Sequence, residues 1–183
     1  DQNAEMQAQR AFDKRSSGNL EKKSATECAT YLEVESLDTV VCFDMAQLQG
    51  NEKVGACITL RNGRPEKKNY RTYKVKQDVF DDLRMMREVV ERWLKRQDEW
   101  PDLLLLDGGA THLSTISGLL EEHGLQDRIP LAALAKREET LYRPNKEPLI
   151  LDSRGRLLVF AREEAHRFVN NFHRKRRAKS TLK

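Results

Sequence analysis

The run Leu103-Leu104-Leu105-Leu106-Asp107-Gly108-Gly109 limits the fold more tightly than any other stretch. Four successive leucines have no polar face to turn to water. A strand built from them is covered on both sides, as in a sheet with helices packed on each face. The run ends on a carboxylate followed by two glycines, which let the backbone turn sharply and leave Asp107 accessible. Val40-Val41-Cys42-Phe43-Asp44 repeats the theme: an apolar, β-branched and aromatic run closing on an aspartate.

The surrounding pattern extends this to a mixed α/β architecture. A strand is predicted over Thr39–Asp44, then a turn over 47–51. A second strand, Val54–Arg61, meets a third over Lys67–Val75 across Asn62-Gly63, a dipeptide favoured in tight hairpins. Leu83, Met86, Val90, Trp93 and Leu94 recur at helical spacing, predicting a helix from Val79 to Arg96 with Asp78 as its cap. After the leucine strand come a helix over Thr111–Glu122 with its stop at His123-Gly124, and a strand over Ile129–Ala135. A small hairpin of Thr140–Arg143 with Pro148–Leu151 and a long helix from Arg156 complete the chain. The order predicts an antiparallel three-strand meander joined to parallel strands in one mixed sheet, flanked by helices. Residues 1–35 read as a partly flexible helical connector, either two short helices broken at Ser16-Ser17-Gly18-Asn19 or one helix after a loose tail. Residues 36–183 form the globular domain, expected to be monomeric.

The three cysteines lack a CxxC spacing and lie in or beside apolar segments, so they read as small core residues of a reducing compartment. No segment reaches the roughly 18–20 apolar residues needed to cross a bilayer, and a cytoplasmic protein is expected. The chain opens on Asp1 rather than Met, as a segment of a longer protein would. Net charge is only +4, but His166 to Lys183 holds seven Lys or Arg and no acid, a local patch suited to a polyanion.

A lone aspartate after a strand is usually a turn former or helix cap. Two at the ends of strands that neighbour each other in an α/β sheet sit where such sheets build their sites. Asp44 and Asp107 held together repel, and a hard divalent ion, Mg²⁺ or Mn²⁺, relieves that repulsion through oxygen ligands. Asp82, beside Asp81 at a helix start, has two readings, catalysis or compensation of the helix dipole. His166, Asn170 and His173 fall at i, i+4 and i+7 on one helical face and lead into Arg174-Lys175-Arg176-Arg177, a phosphate-facing surface. Arg167 belongs to the same basic surface. Lys136-Arg137, after the fifth strand, is a second candidate backbone contact. His112 and His123 read as surface positions with no assigned role.

Six segments, VVCFDMAQLQG, NYRTYKV, DDLRMMREVVERW, PDLLLLDGGATHL, LAALAKREETLYRP and REEAHRFVNNFHRKRR, in this order and spacing, resemble the C-terminal endonuclease domain of UvrC. The resemblance covers the chain from Asp38 to Leu182 and implies an RNase H-like fold. It also implies a metal-dependent DNA endonuclease that makes the 5′-side incision in nucleotide excision repair, with damaged double-stranded DNA and UvrB as partners, UvrB through regions outside this segment. Asp44, Asp107 and His166 match the family's catalytic positions, and Asp82 matches a further carboxylate. His166 is open to three roles: metal ligand, general base or phosphate contact. The chain departs from the usual family pattern in reading Met45-Ala46-Gln47 for Ile-Ser-His and Ala110-Thr111-His112 for Lys-Gly-Gln. Those departures keep two alternatives in view: a catalytically impaired DNA-binding or scaffolding module, and an RNase H-like resolvase or RNase outside repair.

Overall fold

The computed structural model describes residues 2–182 apart from 49–51 and 77–80, with the side chains of 11–17 and 173–182 also outside the description. Eight strands form one mixed sheet: β1 (Thr39–Gln47), β2 (Lys53–Arg61), β3 (Arg64–Pro65), β4 (Arg71–Lys74), β5 (Leu103–Asp107), β6 (Leu131–Ala135), β7 (Thr140–Tyr142) and β8 (Leu149–Ile150). Its order is β3-β2-β1-β5-β6-β7-β8, with β4 also paired to β2. β1, β5 and β6 run parallel at the centre, and antiparallel pairs flank them on both sides. The four helices are α1 (Gln2–Tyr31), α2 (Asp82–Leu94), α3 (Ala110–Glu122) and α4 (Arg156–Leu182).

Alternation along the central strands sorts the core into two layers. Val40, Cys42, Leu103 and Leu105 point to the side of α1 and α4, where Cys28, Leu158, Ala161 and Ala165 meet them. Val41, Phe43, Leu104 and Leu106 point to the side of α2 and α3, against Val89, Trp93, Ile116 and Leu119. The leucine run is therefore covered on both faces, as its lack of alternation requires. The three cysteines are free and buried. Burial raises all three thiols, Cys28 and Cys57 to about 12.

Three expectations need correction. The third strand, expected over Lys67–Val75, is shorter: a 3-10 turn occupies Lys67–Asn69 and β4 covers Arg71–Lys74, while the partner of β2 across Asn62-Gly63 is the two-residue β3. Proline at position 65 supplies no ladder donor; the Glu66 amide still donates to the Thr59 carbonyl at 2.8 Å, but its carboxylate accepts from Arg61 and Asn69, which ties the chain into the turn that follows. Helix α2 starts at Asp82, with the Asp81 carboxylate accepting from the Leu83 amide at 3.0 Å; Asp78, the expected cap, lies outside the described residues. The N-terminal segment is one continuous helix that Ser16–Asn19 does not break. Its second half is tied to the sheet, where Glu21 pairs with Arg64 at 2.8 Å. Gly63 is indispensable there: its φ of 77° follows Asn62 at 51°, and a Cβ would stand 2.3 Å from the Glu21 carbonyl oxygen.

Candidate active site

Parallel pairing of Phe43 with Leu106 brings the next residues, Asp44 and Asp107, together; Asp107 ends β5, whereas β1 runs past its expected end at Asp44 to Gln47, with Asp44 still paired to Ala56 of β2. By strand alternation both point to the α4 side. Helix α4 crosses over β1, β2 and β5 and delivers His166 to Asp44, with Nδ1 3.1 Å from Oδ2. Asp44 is 5% exposed, whereas the His166 side chain is 65% exposed, so the pair spans the boundary between core and solvent.

Burial and the like charge of Asp107, which also serves Asp44 as a hydrogen-bond partner, push the Asp44 carboxyl up to about 6; His166 offsets part of that rise. This is the repulsion that a hard cation removes. Mg²⁺ is commonly held by one or two protein carboxylates with water completing the shell, and Asp44 with Asp107 fits that donor set. Among the described residues no group of three or more His, Cys, Asp and Glu is gathered for a metal.

The remaining sequence candidates separate. Asp82 is not drawn into the cluster. It sits in the first turn of α2, which packs on the other face, and pairs with Lys53 at 3.2 Å, a position that suits compensation of the helix dipole. Lys136 and Arg137 are exposed in the loop leaving β6 at the same sheet end as Asp107. Asn170 is exposed on α4, one turn beyond His166. Arg167 is engaged inward: its Nε donates to Glu164 Oε2 at 2.9 Å, while Glu164 Oε1 accepts from the buried Tyr70 hydroxyl at 3.0 Å. A phosphate contact by Arg167 would have to share that guanidinium. His173, Arg174, Lys175, Arg176 and Arg177 lie within α4, but their side chains fall outside the described residues.

Two residues near the site had no role in the sequence reading. His112 folds back on the glycine turn, its Nδ1 accepting from the Gly109 amide at 3.2 Å, and a Cβ on Gly108 would come 2.4 Å from its ring. It is thus a helix cap set against the residue after Asp107. Its position three residues past Gly109 was the available signal. Arg162, one turn before His166, is buried and forks onto Glu139. A charge inside the stripe of Leu158, Ala161 and Ala165 was the mark of it. His123 has a plainer place, bridging α3 to Glu91 of α2 at 3.1 Å.

Comparison with known proteins gives the family of the chain. The model of the UvrC RNase H endonuclease domain matches residues 29–169, from the end of α1 through Asp44, Asp107 and His166. The UvrABC system protein C of Salinibacter ruber is 43% identical over 150 residues, covering 76% of this chain and 24% of that protein. That of Methanococcus maripaludis is 40% identical over 158 residues, covering 81% of this chain and 30% of the relative. The chain thus spans about a quarter to a third of the length of these relatives. Among solved structures, endonuclease V from Streptomyces avermitilis aligns with a TM-score of 0.49 at 13% identity, covering 78% of this chain and 82% of that one. With the family's match running through both aspartates and the histidine that α4 brings to Asp44, the chain belongs to the UvrC RNase H endonuclease domain family.

Proposed function

We propose that this domain hydrolyses a DNA phosphodiester in a metal-dependent reaction, making the 5′-side incision of UvrABC nucleotide excision repair. The observation that carries the reading is the meeting of Asp44 on β1, Asp107 at the end of β5 and His166 on α4, on one face of two adjacent parallel strands. Asp44 and Asp107 would hold Mg²⁺ or Mn²⁺, which when bound lowers the pKa of water and offsets charge growing on the phosphate oxygens.

The protein's own groups divide the remaining work. Asp44 fixes the imidazole through Nδ1, the tautomer that donates to a carboxylate, and this leaves Nε2 as an acceptor on the side away from it. His166 is exposed enough to reach substrate, so Nε2 is assigned the role of general base, with phosphate contact as the competing role. Lys136, Arg137, Asn170 and the basic end of α4 would grip the backbone of damaged duplex DNA without reading its sequence. Lesion choice and the UvrB contact are assigned to parts of the longer protein.

Nicking of a lesion-bearing duplex in the presence of its partner proteins tests this. Wild type is expected to cut with Mg²⁺ or Mn²⁺, and Asp44→Asn, Asp107→Asn and His166→Gln are expected to bind DNA without cutting. Cutting that survives both aspartate substitutions would remove the site assignment. A folded wild type that binds but never cuts would favour the scaffolding alternative, and preference for a four-way junction or an RNA–DNA hybrid would favour the resolvase or RNase alternative.

A further inference from the structure

The loop after β6 leaves the sheet beside Asp107, which pairs with Leu134 while the Gly108 amide donates to the Leu134 carbonyl at 3.2 Å. It carries Lys136 and Arg137 and then bends through Glu138 at φ 58° and Glu139 at φ 49°. Two successive non-glycine residues in the left-handed region persist only where their surroundings hold them. Glu139 is held twice. Its carbonyl accepts from the Leu151 amide at 3.0 Å, and its carboxylate takes the guanidinium of Arg162, with Nη2 2.9 Å from Oε1 and Nη1 2.5 Å from Oε2.

Arg162 is 7% exposed and stands one helical turn before His166 on α4. Its positive charge is felt at Cys42, two residues before Asp44 on the same face of β1, and after Glu139 the carboxylate that acts on it most is Asp107. A buried guanidinium deprived of its partner is costly, and it turns to whatever carboxylate is within reach. Asp44 and Asp107 both point to the α4 side of the sheet where Arg162 is buried, and the clamped loop leaves β6 next to Asp107, so the carboxylates such a guanidinium would turn to include those of the candidate metal site.

We propose that Glu139 is a positioning residue of the incision site: by holding the Arg162 guanidinium it keeps that cation from neutralising Asp107, and so reserves the Asp44 and Asp107 pair for a divalent ion. The inference rests on the metal-dependent reading of the same site. The clamp has a second consequence, since it fixes the strained turn that presents Lys136 and Arg137 to the helix that carries His166. Metal occupancy and the approach of the backbone-gripping loop are thereby tied to one ion pair.

Mn²⁺ binding to the chain, read from the electron paramagnetic resonance of free Mn²⁺, tests this without catalysis. Wild type is expected to bind. Glu139→Gln, which keeps the shape and removes the charge, is expected to bind about tenfold more weakly, as one displaced cation beside a ligand would produce. Adding Arg162→Met to that variant removes the competitor and is expected to restore wild-type affinity. Arg162→Met alone is expected to bind at least as tightly as wild type. Thermal melts establish that each variant is folded, and if Glu139→Gln is not, Glu139→Asp takes its place, with affinity between the two. Unchanged affinity in folded Glu139→Gln, no recovery in the double variant, or weaker binding by Arg162→Met overturns the proposal while leaving the metal reading intact. A folded wild type that binds no Mn²⁺ overturns the metal reading and this proposal with it.

Discussion

The two faces of the sheet bury similar hydrocarbon but differ in what else they bury. On the α2 and α3 side the core holds no buried charge among the described residues, with Thr59 its buried polar side chain and Phe43 edge-on to Trp93 at 5.6 Å between ring centroids. On the α4 side lie all three buried charged residues among those described, Asp44, Arg162 and Glu164. Both faces descend from the same strands, so the contrast arises from alternation: one residue builds the fold and the next is free to serve the site. Burying charge is unfavourable unless each is paired. The α4 face meets that requirement with three linked pairs, Asp44 with His166, Arg162 with Glu139, and Glu164 with Arg167 and Tyr70.

If this division is right, substitutions on the two faces should fail differently. The largest effect is expected on the α4 face: Asp107→Asn lowers the nicking rate at least about a thousandfold, on the order of 4 kcal/mol of transition-state stabilisation, with melting near wild type. Next comes the opposite face, where Phe43→Ala costs about 3–4 kcal/mol of stability by cavity formation and leaves the rate per folded molecule unchanged below its melting point. A lost rate in that folded variant would break the division.

A smaller effect has the opposite sign. Asp44 carries a raised carboxyl pKa of about 6 in the fold against 3.8 when free, so the folded state binds more protons than the unfolded one between those values. The stability of the metal-free protein should therefore fall as pH rises from 4 through 6, and Asp44→Asn should flatten that slope. At pH 7 Asp44→Asn should gain about 1–3 kcal/mol in denaturant titration while abolishing incision. A metal-free Asp44→Asn less stable than wild type would mean that the His166 contact outweighs burial and repulsion. The smallest effect is at the cap: His112→Ala should cost about 1 kcal/mol, the usual worth of a helix cap. It should also make Gly108→Ala easier to bear, since the ring that the new Cβ would strike at 2.4 Å is gone. A double-variant cycle in thermal melts measures that coupling.

Much of this was legible in the chain. LLLLD made the covered central strand evident, Asn62-Gly63 the hairpin, and the spacing of Met86, Val90, Trp93 and Leu94 the packed face of α2, because each depends on a local period or on a backbone angle that few residues adopt. The late start of the third strand was less legible. Tyr70, Tyr73 and Val75 read as one strand beginning at Lys67, across the Lys67–Asn69 turn, because burial was visible in the pattern but ladder pairing was not. The break expected at Ser16–Asn19 failed for a related reason: propensity is a weak prior, and the second half of α1 is fixed by contacts with the hairpin far away in sequence.

The sequence by itself determined the carboxylates that follow the two apolar runs, the helical face that bears His166, the buried cysteines and the two covered faces, because residue type and periodicity encode these directly; where β1 ends, three residues past Asp44, it did not. Tertiary structure alone decided which charges meet. Only the parallel register of β1 and β5 set Asp44 beside Asp107, and only the path of α4 across the sheet gave His166 to Asp44 and Arg162 to Glu139. It also assigned Asp82 to Lys53 and turned Arg167 inward to Glu164. Such pairings join residues up to 122 positions apart. A charge selects its partner by distance and burial in the folded chain, and neither quantity is written in local sequence.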